Sequence, residues 1–167
     1  MQAMGEANQG LRDAIFRAFP GLLNDRDFKI TSPDNPDYNC IAWACNYSNR
    51  WMQPPISGNP ILDAVVYWPP EADKGQDVSC LIQAFEAHGY CSCDSWEHED
   101  GFQKVALYVR RGEKEWTHAA RELMNGEDCG KWTSKLGAWN DIRHGNPFSI
   151  EGNLYGEVYC FMKRPYR

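Results

Sequence analysis

Residues 41–45, Ile41-Ala42-Trp43-Ala44-Cys45, are apolar most of the way round a helix rather than along one stripe. Such a segment has no face to offer water, so the rest of the chain must surround it. The pattern predicts a buried helix over residues 39–48. It is set off by the turn-rich stretch Ser32-Pro33-Asp34-Asn35-Pro36-Asp37. A chain of 167 residues can bury about 70% of its unfolded surface, enough to enclose that helix without a disulfide or metal staple. No repeat or linker divides it, so the expectation is a single domain, 1–167.

The remaining pattern changes period halfway along. Leu11, Ala14, Ile15, Ala18 and Phe19 fall on one helical face, giving a helix over 8–19 that Pro20-Gly21 ends. Phe28 to Thr31 reads as a short strand. Val78, Leu81, Ile82 and Phe85 mark another helix, closed by Gly89. Between them, Pro54-Pro55 and Pro69-Pro70 bracket an irregular stretch carrying Trp51, Tyr67 and Trp68. Residues 104–109, 116–123 and 131–136 then read as strands, with a hairpin loop over 125–128. In the tail, residues 157–163, Val158, Cys160 and Met162 alternate with Tyr159 and Phe161. Helices first and an antiparallel meander after them make an α+β layout, with the central helix packed on the sheet.

Charge and leader signals narrow the function. There are 17 basic against 23 acidic residues, a net charge of −6. That argues against nucleic acid as a partner, since phosphate binding needs a basic surface. No apolar run is long enough for a membrane span. Residues 1–10 lack the apolar core of a signal peptide, so a cytoplasmic location is expected, or delivery as an effector without a cleaved leader. In that setting the seven cysteines, 40, 45, 80, 91, 93, 129 and 160, read as reduced thiols.

Cys40 is the chemically most informative residue. It opens the buried helix, where the positive end of the helix dipole and unpaired N–H groups favour thiolate, the nucleophilic form. The expectation is a lowered pKa there. The bland alternative is a small buried hydrophobe. Cys45, one and a half turns on, is the comparison. His118, on the strand from Trp116 and expected on the face of Trp116 and Ala120, is the candidate base. It would take the thiol proton and return it to a leaving group. The alternative is a core histidine with a satisfied hydrogen bond. An orienter for the second ring nitrogen comes down to Ser134, favoured by strand geometry, or Asp141, favoured by charge. Asp141 has a second reading as a cap for the turn before Ile142-Arg143-His144. Tyr38 and Asn39 precede the nucleophile, where the Cys40 N–H would form part of an oxyanion site. Trp43, Trp51 and Trp68 are candidate groove residues, with core packing as the alternative.

A second cluster, Cys80, His88, Cys91, Cys93 and His98, carries zinc-type ligands. Its spacing is poor, with Cys91 and Cys93 too close and no second pair. The chemistry read from the chain calls for no metal and no cofactor.

These strings together resemble a known family. Phe19-Pro20, Ile30-Thr31-Ser32-Pro33, Tyr38-Asn39-Cys40-Ile41-Ala42-Trp43-Ala44, Tyr67-Trp68-Pro69, Lys104-Val105-Ala106-Leu107-Tyr108, Thr117-His118-Ala119-Ala120-Arg121, Trp132-Thr133-Ser134-Lys135-Leu136-Gly137 and Tyr155-Gly156 are similar to an uncharacterised bacterial family of unknown function. The order of Cys at a helix start, His on a strand and a polar residue on the next strand resembles the papain-like NlpC/P60 peptidases. That second resemblance implies a papain-like fold and a thiol hydrolase acting on a peptide or protein substrate. The Asp-Cys-Ser-Gly of NlpC/P60 nucleophiles is here Asn39-Cys40-Ile41-Ala42. The leading reading is a cysteine hydrolase or acyl-transfer enzyme; the other is a non-catalytic protein-interaction module on the same fold.

Overall fold

The computed structural model describes residues 2–166. Helix α1 (Gln2–Ala18) runs into a 3-10 turn at Pro20–Asn24. A two-residue strand β1 (Lys29–Ile30) precedes the short helix α2 (Cys40–Ala44). Helices α3 (Pro60–Val65) and α4 (Val78–Glu86) follow. The strands are then β2 (Cys91–Cys93), β3 (Phe102–Val109), β4 (Trp116–Glu122), β5 (Trp132–Lys135), β6 (Asp141–His144) and β7 (Glu157–Pro165). They form one seven-stranded antiparallel sheet ordered β1-β6-β5-β4-β3-β7-β2.

Both faces of this sheet are covered. Val105, Leu107, Ala119 and Met162 face one cluster with Ile41, Ala42, Leu81 and Phe85 from α2 and α4. Ala106, Tyr108, Ala120, Trp132 and Ile142 face a second cluster with Ile15, Phe19 and Leu22 from α1 and the turn after it. Hence β3 is buried along nearly all its length, as a strand covered on both faces must be.

Helix α2 is shorter than the expected 39–48. Asn39 caps its start, accepting from the Ala42 N–H at 3.1 Å. Asn46 ends it in the left-handed region, φ 69°. The Tyr47 N–H then reaches back to the Ala42 carbonyl at 2.8 Å, the pattern of a Schellman stop. The helix is buried as expected: Ile41, Ala42 and Ala44 have no exposed surface.

Two bulges change which residues share a face. β4 pairs His118 with Tyr108 but Trp116 with Val109, leaving Thr117 extra. Trp116 therefore stacks on Trp68 in the α2 cluster, at 6.3 Å, not beside His118. β7 pairs Cys160 with Leu107 but Val158 with Tyr108, leaving Tyr159 extra. Val158 accordingly packs with Phe161, and the simple alternation expected for the tail does not hold.

Gly156, two residues before Val158, has φ 75°, and a Cβ there would run into the Val109 carbonyl. Gly156→Ala is expected to destabilise the fold by at least about 2 kcal/mol. Thermal unfolding would show it as a drop of roughly 4 °C or more.

Candidate functional site

The sheet separates the sequence-picked residues by its pleat. β5 sends Thr133 and Lys135 towards α2, and Trp132 and Ser134 towards α1. The neighbours of each side chain show this. Trp43 Nε1 donates to Thr133 Oγ1 at 3.0 Å, while Trp132 lies in the α1 cluster. On β4, Ala119 faces α2 and His118 lies among Tyr108, Ala120 and Tyr155 on the other side.

On the α1 face a polar chain is buried. His118 Nε2 lies 3.1 Å from Ser134 Oγ, Ser134 Oγ lies 2.8 Å from His144 Nε2, and His144 Nδ1 lies 2.8 Å from the Asn146 carbonyl. His118, Ser134 and His144 have no exposed surface. The carbonyl of Asn146 can only accept, which sets the direction of the whole chain. His144 donates from Nδ1, Ser134 donates to His144 Nε2, and His118 donates from Nε2 to Ser134. This assigns the tautomer of His118 as protonated on Nε2, with a bare lone pair on Nδ1. That Nδ1 is buried and has no hydrogen-bond partner. The assignment requires neutral imidazoles. Burial drives the pKa of His118 well below its usual value and that of His144 down to about 4. Tyr155 stacks on His118 with ring centres 3.9 Å apart, closing the ring's flank.

On the α2 face lie Cys40, Lys135, Asp141 and Tyr38. Tyr38 donates to Asp141 Oδ2 at 2.6 Å. Lys135 is fully buried, donates to the Trp139 carbonyl and lies over the Tyr38 ring at 4.8 Å. Cys40 keeps partial solvent access, unlike the residues of the relay. Burial raises its thiol to about 11, against the pull of the Ile41 and Ala119 amides, its own amide and the Lys135 charge. The expected lowering by the helix start is therefore overturned. A five-residue helix supplies little dipole, and desolvation of the charged sulfur outweighs it.

Ser134 is thus brought to His118, and Asp141 is not. Asp141 opens β6 opposite Lys135 rather than capping a turn. Asn39 is occupied as the helix cap, its oxygen also accepting from Met52 N–H at 3.0 Å. Of the tryptophans, Trp68 is core, stacked on Trp116 and bonded to the Asp73 carbonyl, which excludes it as a groove wall. Trp43 is half-buried and Trp51 donates to the Pro36 carbonyl at 2.6 Å. No hydrogen bond joins Cys40 to His118 among the described residues. The ladder between β4 and β5 stops at Arg121–Thr133, and the Cys40 sulfur borders Ala119 where the two strands part. The sequence reading missed His144, which lies in a strand it did not assign, and Tyr155. A cavity of about 650 Å³ opens beside Tyr155, walled by Leu11, Ile15, Phe19, Leu136 and Leu154.

The zinc-type residues are dispersed. Cys80 is buried in α4, and His88 bonds Tyr67 and the Ala84 carbonyl. No group of three or more His, Cys, Asp or Glu among the described residues is placed to hold a metal. No described helix is long and apolar enough to cross a membrane.

The chain belongs to a family defined by a domain of unknown function, DUF7689, which matches residues 29–163. No curated protein and no solved structure matches it.

Two tests follow from the relay. Ser134→Ala strips a partner from both imidazoles and is expected to cost about 2–4 kcal/mol in urea unfolding. Both histidine pKa values fall on folding, so the unfolded chain takes up protons first as pH drops. Stability from His144 is complete above about pH 6.5 and is lost on the way down to about pH 4. That amounts to roughly 3 kcal/mol from this residue. Nitrogen NMR at neutral pH should find His118 protonated on Nε2 alone. Protonation on Nδ1 would contradict the relay direction.

Proposed function

We propose that this protein is a cysteine-dependent hydrolase or acyl-transfer enzyme acting on an amide or related acyl bond. Cys40 is the nucleophile, His118 the base and then the acid, and Ser134 the orienter. One observation carries the reading: the His118 Nδ1 lone pair, buried without a donor at the end of a relay that fixes it as an acceptor. Leaving such an acceptor unpaired costs about 1–3 kcal/mol, and an orphan of this kind calls for an explanation such as a proton waiting to be taken.

At rest both groups are neutral, a thiol on the α2 face and an imidazole on the α1 face, and they must meet across the seam between β4 and β5 during the reaction. The sulfur attacks the carbonyl carbon as Nδ1 takes its proton, and His118 returns that proton to the departing amine. Water then releases the acyl group from Cys40. The Lys135 charge favours the developing thiolate. The apolar cavity beside Tyr155 suits an apolar side chain of a peptide or protein substrate. The papain-like kinship and bacterial origin belong to this proposal, as does the cytoplasmic location. The order of helix-start Cys, strand His and next-strand polar residue supports the kinship. The net charge of −6 speaks against a nucleic-acid substrate.

A second reading is a non-catalytic interaction module. The separation of Cys40 and His118 onto different sides of the sheet favours it. Trp139, 68% exposed at the cavity rim, would then meet a protein partner.

Nitrophenyl acetate followed by peptide mapping separates the two. The enzyme reading expects an acetyl thioester on Cys40, lost in His118→Gln and kept in Cys45→Ala. Iodoacetamide at pH 6, which needs thiolate already present, should instead reach exposed Cys91 and Cys129 before Cys40. Acetylation confined to those exposed cysteines would end the enzyme reading and leave the module.

A further inference from the structure

Cys129 lies away from the site above, in the β4–β5 loop just after the 3-10 turn Gly126–Asp128. It is exposed. Its sulfur is 3.9 Å from His98 Nε2. The other ring nitrogen, Nδ1, is 2.7 Å from Glu122 Oε2, and Glu122 is fully buried on β4. Glu122 is held in turn by the Lys104 N–H on its Oε1 at 3.2 Å. Thiol, imidazole and buried carboxylate are therefore in line, in the arrangement of nucleophile, base and orienter.

The charge state follows from the partners. His98 Nε2 also faces Asp100 Oδ1 at 3.2 Å, so carboxylates lie at both ring nitrogens. A ring in that position satisfies both by carrying both protons. The hydrogen bond to Glu122, and then the charges of Glu122 and Asp100, raise the pKa of His98 against the cost of burial. An imidazolium at 3.9 Å from the sulfur is placed to hand its Nε2 proton to a group that leaves as Cys129 attacks. Asp100 is fully exposed, so solvent screens its competing pull on the Nε2 proton.

We propose that Cys129, with His98 as proton donor and Glu122 as its positioning residue, is an exchange site for small uncharged disulfides. The Cys129 thiolate attacks one sulfur of the disulfide. A new S–S bond forms to Cys129 and the original S–S bond breaks. The departing thiolate takes the Nε2 proton of His98. One disulfide replaces another, so Cys129 is oxidised as the released thiol is reduced, and no further oxidant is needed.

Cys91 supplies the internal comparison. It is also exposed, and its neighbouring cation Lys163 is held by Glu99 at 2.7 Å. The fully reduced protein is treated with limiting dithiodipyridine at pH 7 and the adducts are mapped. Cys129 should react about ten-fold faster than Cys91, because only at Cys129 does an imidazole stand ready to protonate the departing group. His98→Gln should bring Cys129 down to the rate of Cys91 and leave the Cys91 rate unchanged, which also reports an intact fold. Equal rates at the two cysteines in the unmodified protein would overturn the proposal. So would a Cys129 rate that His98→Gln does not lower.

Discussion

The carbonyl of Asn146 offers His144 an oxygen that can only accept, and the polarity of the sheet's centre is set from that point. Each later donor is forced by the one before it. Its three side chains come from adjacent strands, His118 on β4, Ser134 on β5 and His144 on β6. A one-residue slip of β5 would turn Ser134 to the opposite face and leave two buried imidazoles unpaired. The relay therefore fixes strand register as well as tautomer. It also requires both faces of the sheet to be covered, because in contact with water the imidazoles would titrate near their ordinary pKa and the direction of donation would be lost.

The opposite face obeys a different balance. There Tyr38 donates to Asp141 Oδ2 while Asp141 Oδ1 stays buried without a partner, and Lys135 donates to the Trp139 carbonyl. The Lys135 pKa falls by burial, against the charges of Asp141 and Asp34. Cys40 shares that face but has no hydrogen-bonded carboxylate or imidazole. With backbone amides and the Lys135 charge beside it, desolvation still sets its state. An apolar helix and a charged nucleophile make opposing demands on the same few residues. The chain resolves them here in favour of packing, with a neutral thiol at the helix start.

Much of this was legible in the residues. The apolarity of Ile41 to Cys45 around most of the helix predicted a buried helix, and the change of period in the second half predicted β3 and β5. Helix α1 and α4 followed from their spacing, and Ser134 was favoured over Asp141 because it sits in the adjoining strand. What escaped the sequence has identifiable causes. The bulge at Thr117 has no composition of its own, yet it moves Trp116 off the face of His118. Strand β6 carries Asp141 and His144 inward, inverting the polarity by which a strand is recognised. The short helix α3 hides among prolines, although Asn59 and Pro60 are ordinary start signals. The pKa of Cys40 was misjudged because a helix-start argument assumes solvent nearby, and burial depth is not written in local sequence.

The two thiols that matter chemically stand at opposite ends of one physical scale. Cys129 has an imidazole held between carboxylates, so a proton donor stands beside the sulfur where water has access. In the proposed reaction Cys40 works with a neutral relay, so charge separation waits for a substrate to arrive. A thiol that ionises only during attack discriminates by what it is attacking. In that proposed arrangement the sheet keeps the base dry, while Cys40, at the seam between β4 and β5, keeps partial solvent access. Selectivity at such a site comes from the base being inaccessible to everything except the nucleophile it serves.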